Sequence, residues 1–334
     1  MKKICFVFFL LFIQFRNSSA QHNIGSIHLN NAPEPVSSAL GSIGVATDPN
    51  ETGHFWNPAK IALLGLNYGG SLSYSPAQIG KTVYGSIFKQ IDDHVAVGLG
   101  LNYYSLGSIN LRDQIGTNTG IQNPNEFGVD IALSKKFGVD FAVGTTVRYI
   151  KSDMFDVENA GKIRSAVATA LDVGLFKKHR IGYNTLNIGL MISNIGTKLN
   201  YGPGTIKFLP TSLKTGVNYQ LGQLNHFNIG LELSKLLVAT TATAQTSVIS
   251  AMLSSLNEGF KNCSIGIGTE YILLEQLMLR SGLNIQNNGF STVKHASFGI
   301  GLIKDAIRIN ASYHIPIDAQ PMNNKFKFSL GMMF

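Results

Sequence analysis

The last ten residues, 325–334, alternate strictly between two kinds of side chain. Side chains of a β-strand point to opposite faces in turn, so this pattern predicts a strand with one apolar face. The chain ends on an aromatic residue inside that strand. The apolar set is Phe326, Phe328, Leu330, Met332 and Phe334, and the opposite set is Lys325, Lys327, Ser329, Gly331 and Met333.

The first twenty residues have the form of a secretory signal. Two lysines precede an unbroken apolar run over residues 4–13, and small residues at 18–20 form a cleavage site. The apolar run is too short to span a bilayer as a helix. We therefore expect residues 1–20 to be removed, so that the mature chain of an exported protein begins at Gln21.

Composition narrows the fold class. Charged residues make up 14% of the chain, against roughly 25% in an average soluble protein, and there are 35 glycines. No segment after the signal has the ~18 consecutive apolar residues that a membrane helix needs. With Cys5 in the signal, Cys263 is a lone cysteine, which predicts neither an internal disulfide nor a metal site. The net charge is +8, but the basic residues are scattered singly, which argues against a nucleic-acid partner. These features favour an all-β, transmembrane antiparallel barrel whose outer surface contacts membrane lipid.

Alternating segments recur along the chain and predict about fourteen antiparallel strands. A soluble β-sandwich would also alternate, but here the apolar face carries no charge at its central positions, as a lipid-facing band requires. One segment, 82–89, is ambiguous because Val83 and Tyr84 compete for the outer face. The predicted strands are 68–75, 82–89, 94–104, 125–137, 140–150, 164–177, 185–194, 211–221, 226–235, 263–272, 277–286, 294–303, 306–315 and 325–334.

The opposite face of these strands combines glycine with ionisable residues. A sandwich core would not bury so many unpaired charges, whereas a polar barrel lumen would accept them. The pattern leaves the pairing of these charges open. The charges assigned to the lumen are Asp130, Arg148, Asp172, Glu232, Glu270, Arg280 and Arg308.

Loop lengths give an independent test of the strand count. Long connections, 105–124, 151–163, 195–210 and 236–262, follow odd strands, whereas the connections after even strands are short. Outer-membrane barrels have short periplasmic turns and longer extracellular loops. The even count therefore predicts an outer-membrane barrel with both termini in the periplasm, closed by pairing of the last strand with 68–75. A chain end of this form resembles the closing strand of bacterial outer-membrane barrels, in which the terminal aromatic, here Phe334, is part of the assembly signal.

Two segments lie outside the predicted wall. Residues 21–67 precede the barrel (68–334) and are expected to form a plug in the lumen, a periplasmic segment or a simple lead-in to the first strand; Asn57-Pro58-Ala59 starts a predicted helical turn. Loop 236–262 carries apolar residues at helical spacing, from Val248 to Leu256. Such a helix face must be buried against the barrel's own rim or a partner.

The sequence predicts no catalytic residue, no cofactor site and no metal site. The eight histidines are dispersed, and neither HExxH nor CxxC occurs. Mid-strand glycine pairs such as Gly98/Gly100 never extend to a phosphate-binding motif, and we interpret them as space inside the barrel. We therefore expect a protein that is not an enzyme.

Several segments, in order along the chain, resemble the PorV (LptO) family of outer-membrane proteins, which includes PorQ. Single matches are weak, but their number and order are specific. They include 44–47, 56–60, 104–107, 124–130, 148–153, 193–196, 209–211, 232–238, 268–271 and 280–282. Within them, the positions that we single out for a structural or partner role are Trp56, Asn57, Pro58, Pro124, Asn125, Glu126, Phe127, Asp130, Arg148, Glu270 and Arg280.

The resemblance implies a fourteen-stranded barrel similar to the FadL fatty-acid transporters, and a role in the type IX secretion system of Bacteroidetes. Members of that family are non-enzymatic. They receive cargo with a conserved C-terminal domain from the translocon barrel and pass it to the surface attachment complex. The implied partners are therefore the translocon, the attachment-complex proteins and the secreted cargo, which we expect to contact loops 105–124, 195–210 and 236–262.

The sequence departs from the family pattern in three places. Residues 36–41 replace an arginine- and glycine-rich run, Ala239 stands where a proline is usual, and the loop that ends near Phe260 is shorter and lacks the expected double-glycine turn. These changes leave a PorQ-type or paralogous role open. A FadL-like transporter for hydrophobic small molecules and an adhesin-like structural barrel are the alternative functions.

Overall fold

A computed structural model describes residues 23–76, 80–112, 115–156, 162–222, 226–287, 292–317 and 326–334. Within this part of the chain, fourteen antiparallel strands form a closed barrel, as predicted. The barrel strands are β1 (Tyr68–Pro76), β2 (Lys81–Gln90), β3 (Val95–Ser105), β6 (Asn125–Phe137), β7 (Phe141–Asp156), β8 (Lys162–Ile181), β9 (Asn184–Gly196), β12 (Ser212–Leu221), β13 (His226–Leu236), β14 (Cys263–Leu273), β15 (Leu277–Asn287), β16 (Thr292–Lys304), β17 (Ile307–Pro316) and β18 (Phe326–Met333). The described residues also form two hairpins outside the wall: β4 (Ile109–Arg112) with β5 (Asn118–Gln122), and β10 (Leu199–Asn200) with β11 (Ile206–Lys207).

The closing strand behaves as its alternation predicts. Antiparallel pairing of β18 with β1 joins Gly69 to Met333 and Tyr74 to Phe328, which removes the sheet edges. Its outward side chains are half-exposed, whereas Lys327, Ser329, Gly331 and Met333 are buried in the interior. Lys325 lies outside the described residues.

Several strand boundaries differ from the predictions. The β7–β8 ladder continues to the Asp156–Lys162 pair, so the predicted long loop 151–163 is wrong: most of it is strand. The outward face of this extension carries charge, as in Lys151 and Asp153, so its sequence lacks the apolar alternation of a lipid-facing strand. The ambiguous segment 82–89 is also resolved, because Tyr84 is fully buried in the lumen and Val83 faces outward.

The two ends of the barrel differ in their connections. At one end, the short-turn end, the connections are 91–94, 138–140, 182–183, 222–225, 274–276 and 305–306; at the other, the long-loop end, lie 106–124, 197–211 and 237–262. The predicted contrast in loop length is confirmed, except for 151–163. Gly138 and Gly182 adopt positive φ in two of the tight turns, where glycine is favoured.

The two ends of the described chain lie at opposite ends of the barrel. The carbonyl of Phe334 accepts hydrogen bonds from Asn67 and Tyr68 at the short-turn end. Near the other terminus, the amide of Phe208 in the 197–211 connection donates to the carbonyl of Asn23 at 2.8 Å. If the short turns face the periplasm, as predicted, only the C-terminal end of the described chain lies there.

The N-terminal segment runs through the lumen. We call residues 23–67 the plug. It contains 3-10 helices Ile27–Asn30 and Pro58–Leu63 and helices Pro35–Ala39 and Gly53–Trp56. The predicted turn at Pro58 is confirmed, with Asn57 as its N-cap. A further helix, Val248–Leu256, confirms the helical spacing in loop 236–262. Among the described residues, no helix has the length and apolar character needed to cross a membrane.

Candidate functional site

The Trp56-Asn57-Pro58 motif lies inside the barrel, where it joins three parts of the structure. The Trp56 indole is buried and its Nε1 donates to Glu34 Oε1 at 3.1 Å. The Asn57 amide donates to the carbonyls of Val45 at 3.1 Å and Leu175 at 2.9 Å. Leu175 belongs to β8, so a single side chain ties two plug segments to the wall.

A track of glycines on three adjacent strands makes room for this motif. A Cβ at Gly144 would lie 2.3 Å from the amide nitrogen of Ala59, and one at Gly174 would lie 2.1 Å from Asn57 Oδ1. A Cβ at Gly189 would lie 2.1 Å from the carbonyl oxygen of Val45. The plug backbone therefore lies directly on the wall at β7, β8 and β9. The prediction that inner-face glycines provide space is confirmed, and the plug fills that space.

Arg148 is the centre of a buried charge network. Its Nε donates to Asp130 Oδ1 at 2.6 Å, and its Nη2 lies 3.2 Å from Asp172 Oδ2. Nη1 donates to Asn194 Oδ1, and the guanidinium lies over the Phe55 ring of the plug at 5.5 Å. Both carboxylates and the guanidinium are buried away from water, so each charge is stabilised by the opposite charges beside it. Two motif residues, Asp130 and Arg148, are thus in direct contact.

Asp172 also organises a β-bulge. Its Oδ1 accepts from the backbone amide of Asn194 at 2.6 Å, and Asn194 has a φ of 58°. The β8–β9 register shifts at this point, as expected of a bulge. Beyond it, Thr211 donates its hydroxyl to the Asn194 carbonyl at 2.7 Å. The bulge therefore lies where the wall passes into the long-loop end.

The second motif, residues 124–127, is divided between three environments. Glu126 is buried, with Oε2 2.5 Å from His28 Nδ1 and Oε1 accepting from Ser26 at 3.0 Å. Phe127 faces outward and is exposed. Pro124 and Asn125 lie at the rim, where the Pro124 carbonyl accepts from Leu106 at 3.0 Å and the Asn125 amide donates to Asn123. Glu126 therefore links this motif to the plug through His28 and Ser26.

Glu270 and Arg280 form a separate pair on β14 and β15. Their Oε2 and Nε atoms are 2.5 Å apart, and they are cross-strand neighbours. Arg280 also donates to Asn310, and Glu270 accepts from Asn228, each at 2.9 Å. Glu126 and Arg148 therefore contact the plug, and the Glu270–Arg280 pair lies nearer the short-turn end.

Glu34 is an interior residue that the sequence reading missed. It caps helix Pro35–Ala39, with Oε1 accepting from the amide of Ser37 at 3.0 Å, and the same oxygen accepts from Trp56. An acidic residue directly before a proline is a signal for a helix start and would have revealed the cap. Its contact with Trp56, 22 residues away, has no local signal.

Lys60 and Glu232 hold the plug turn at Gly44 from both sides. Lys60 Nζ donates to the Gly44 carbonyl and to Thr47 Oγ1, each at 2.9 Å. Glu232 Oε2 accepts from the amides of Gly44 at 2.7 Å and Val45 at 2.8 Å. Burial lowers the pKa of Lys60 to about 8, and the carboxylates around it, first Asp48, oppose that shift. Both residues fall within segments that resemble the PorV family, 56–60 and 232–238, but the sequence does not show that they contact the same turn.

Among the residues that the structure describes, one larger cavity lies toward each end of the barrel interior. The cavity nearer the long-loop end has a volume of about 250 Å³ and is lined by Lys214, Glu232, Asn284 and His295 among others. The one nearer the short-turn end has a volume of about 380 Å³, with Glu51, Glu270, Arg280 and Arg308 in its lining. Both linings are rich in polar and charged groups. In the described part of the chain, no group of three or more His, Cys, Asp or Glu residues could hold a metal ion.

Comparison with known proteins gives one family and a set of similar barrels. The family model of type IX secretion system protein PorV matches residues 22–243. The toluene transporter TodX of Pseudomonas putida is similar in structure, with a TM-score of 0.59 at 12% identity over 96% of this chain and 98% of that chain. The CymD monoaromatic hydrocarbon channel has a TM-score of 0.60 at 11% identity, with coverages of 90% and 97%. At such identities the likeness shows the fold alone. No curated protein matches the chain at a significant level.

Proposed function

Because the chain belongs to the PorV family, the outer-membrane β-barrel components of type IX secretion, we propose that it carries cargo. In this role it receives secreted proteins with a conserved C-terminal domain from the translocon barrel and delivers them to the surface attachment complex. The role is non-enzymatic and depends on binding. The family match supports the secretion role, and the shuttling step is our proposal.

The observation that carries this proposal is the filled lumen. The plug backbone lies against Gly144, Gly174 and Gly189, and Asn57 and Arg148 fix it to the wall through buried contacts. A barrel whose interior is packed in this way is suited to present a rim to other proteins. It is less suited to conduct a solute from one end to the other.

The long-loop end offers exposed surface for such binding. Hairpin β4–β5 projects from the wall, with Ile115 and Ile121 exposed. A hydrogen bond of 2.7 Å between Ser108 and Asn123 closes its base. Together with the 197–211 and 237–262 connections, this hairpin forms the surface on which we expect cargo or a partner to dock.

The decisive experiment is deletion of the gene followed by complementation. Loss of the protein should leave C-terminal-domain cargo in the periplasm, and affinity purification of the wild-type barrel from native membranes should recover cargo. A complementing variant in which a short turn replaces residues 109–122 should assemble as a barrel but recover less cargo. Normal surface display of cargo in the deletion strain would refute the shuttle role.

A transporter for hydrophobic small molecules is the second candidate, favoured by the similarity to TodX and CymD barrels. The several charged side chains in the linings of the two cavities, such as Lys214 and Arg280, do not favour it, because pockets for such solutes contain few polar groups. Toluene binding by the purified barrel, together with an uptake defect in the deletion strain, would support transport. The absence of both would leave the shuttle.

A further inference from the structure

Helix Val248–Leu256 has one face packed on the long-loop end of the barrel. Ala251 and Ser255, four residues apart, are buried, and the Ser255 hydroxyl donates to the Leu236 carbonyl at 2.9 Å. Ala251 belongs to an apolar cluster with Phe208 and Val238. Small residues on this face bring the helix close to the body of the protein, so its position relative to the rim is fixed.

A second face of the helix is apolar and exposed. Ile249, Leu253 and Leu256 follow one another at spacings of four and three, which place them on one side of the helix. Phe260 lies in the turn that follows the helix. The four side chains are exposed by 71%, 61%, 54% and 75% respectively. The exposed Ser250 and Ser254 lie one position further on, on a polar face. We call the four apolar residues the helix stripe.

The segment that ends the stripe is fastened to the lipid-facing side of the wall. Lys235 follows Leu231 and Leu233 on the outward face of β13, and both leucines are exposed in the lipid-facing band. Lys235 Nζ donates to the carbonyls of Gly259 and Lys261, each at 2.7 Å. The stripe is therefore continuous with the surface that the barrel presents to the membrane.

The aromatic girdle of the barrel has a gap at this point. Membrane barrels carry outward aromatic residues at both edges of the apolar band. At the short-turn end, Phe227 and Tyr271 supply them on β13 and β14. At the long-loop end, the described residues of β8–β15 include no outward aromatic, whereas the rest of the wall has Tyr74, Phe127, Tyr149, Tyr313 and Phe326.

We propose that the helix stripe is inserted into the membrane leaflet on the long-loop side. Phe260 takes the place of the missing girdle aromatic beside β13 and β14, and Leu253 and Leu256 lie at the level of the headgroups and upper acyl chains. Lys235 and Lys261 are positioned for the acidic headgroups. The occupant of this face is lipid, and the helix is an interfacial anchor that sets the height and tilt of the 237–262 loop.

Site-specific fluorescence tests the proposal on the whole barrel. The chain from Gln21 with Cys263→Ser has no other cysteine, so an environment-sensitive dye can be attached at Leu253→Cys or Phe260→Cys. Ser250→Cys and Ser254→Cys, exposed on the same helix, are the matched controls. In vesicles of phosphatidylethanolamine and phosphatidylglycerol, emission at 253 and 260 should shift to shorter wavelength. Lipids spin-labelled near the headgroup should quench those two positions several-fold more than 250 and 254.

Heat-dependent migration on gels checks first that each variant is folded as a barrel. Equal, water-like emission at all four positions in vesicles would overturn the proposal. So would emission at 253 and 260 that shifts only when native membrane proteins are added, because the face would then bind protein. A further variant combines Leu253→Ser and Phe260→Ser with a dye attached at Leu256→Cys. It keeps the wall intact, and the spin-labelled lipids should quench this dye less than they quench it without the two serine substitutions.

Discussion

Leu175 and Phe176 are neighbours on β8, yet they meet different surroundings. Leu175 faces outward and is partly exposed to lipid, whereas Phe176 is fully buried against Ala59 and Ala142. Lipid chains are fluid and can fill the space around any apolar side chain. The plug is a folded segment with fixed positions, so the inner face must match it atom by atom.

The same contrast extends to charge. The outward face accepts any apolar residue in its central band, and its requirement is only that charge be absent. The inner face contains Arg148, whose guanidinium lies 2.6 Å from Asp130 Oδ1 and 3.2 Å from Asp172 Oδ2. A change on the outer face should therefore alter stability little, while a change on the inner face should alter it strongly.

Removal of the Arg148 guanidinium should have the largest effect. Arg148→Ala leaves Asp130 and Asp172 buried without their cation, which should cost about 3–5 kcal/mol of unfolding free energy. Urea unfolding of the barrel in vesicles, followed by gel migration, measures the loss. The matched control is Lys151→Ala on the same strand, since Lys151 lies 3.5 Å from Asp153 on an exposed surface and such pairs contribute about 0–1 kcal/mol. Equal losses for the two variants would contradict the contrast.

Closure of the glycine track should have the next largest effect. Gly144→Ala places a methyl group where the Ala59 amide lies, and overpacking of this kind costs about 1–3 kcal/mol. The plug must move, and Trp56, the single tryptophan of the chain, reports this as a red shift of its emission. Gly128→Ala is the control, because its Cβ would meet only ordinary contacts at 3.7 Å. An unchanged Trp56 spectrum in Gly144→Ala would show that the plug does not depend on the track.

These differences also explain what the sequence could predict. The fourteen-strand barrel, its pairing at β18 and the helix Val248–Leu256 follow from local periodicity, which each segment carries independently. The plug contacts do not. Glu34 meets Trp56, and Arg148 meets Phe55, across large sequence separations, and no local pattern encodes such pairs. The β7–β8 ladder within residues 151–163 does not follow from that periodicity, because its outer face carries charge and does not resemble a lipid-facing strand.

Truncation of Glu34 should have an intermediate effect. Glu34→Ala removes the cap of helix Pro35–Ala39 and the acceptor of the Trp56 indole, which should cost about 1–2 kcal/mol. Trp56 emission and urea unfolding measure the two parts of the effect. Glu275→Ala, exposed in a short turn, should change stability by less than about 0.5 kcal/mol. A Glu34 variant as stable as that control would mean that the indole finds another acceptor.

The neighbouring pair on β8 offers the finest comparison, with the smallest expected effects. Phe176→Leu leaves a small void against Ala59, and should cost about 1 kcal/mol because the plug cannot relax fully into it. Leu175→Ile changes only the shape presented to fluid lipid, and should change the unfolding free energy by less than about 0.5 kcal/mol. Both variants keep the strand apolar at adjacent positions, so urea unfolding in the same vesicles compares the two faces directly. If Leu175→Ile were the more costly change, the lipid-facing side would be as specifically packed as the plug.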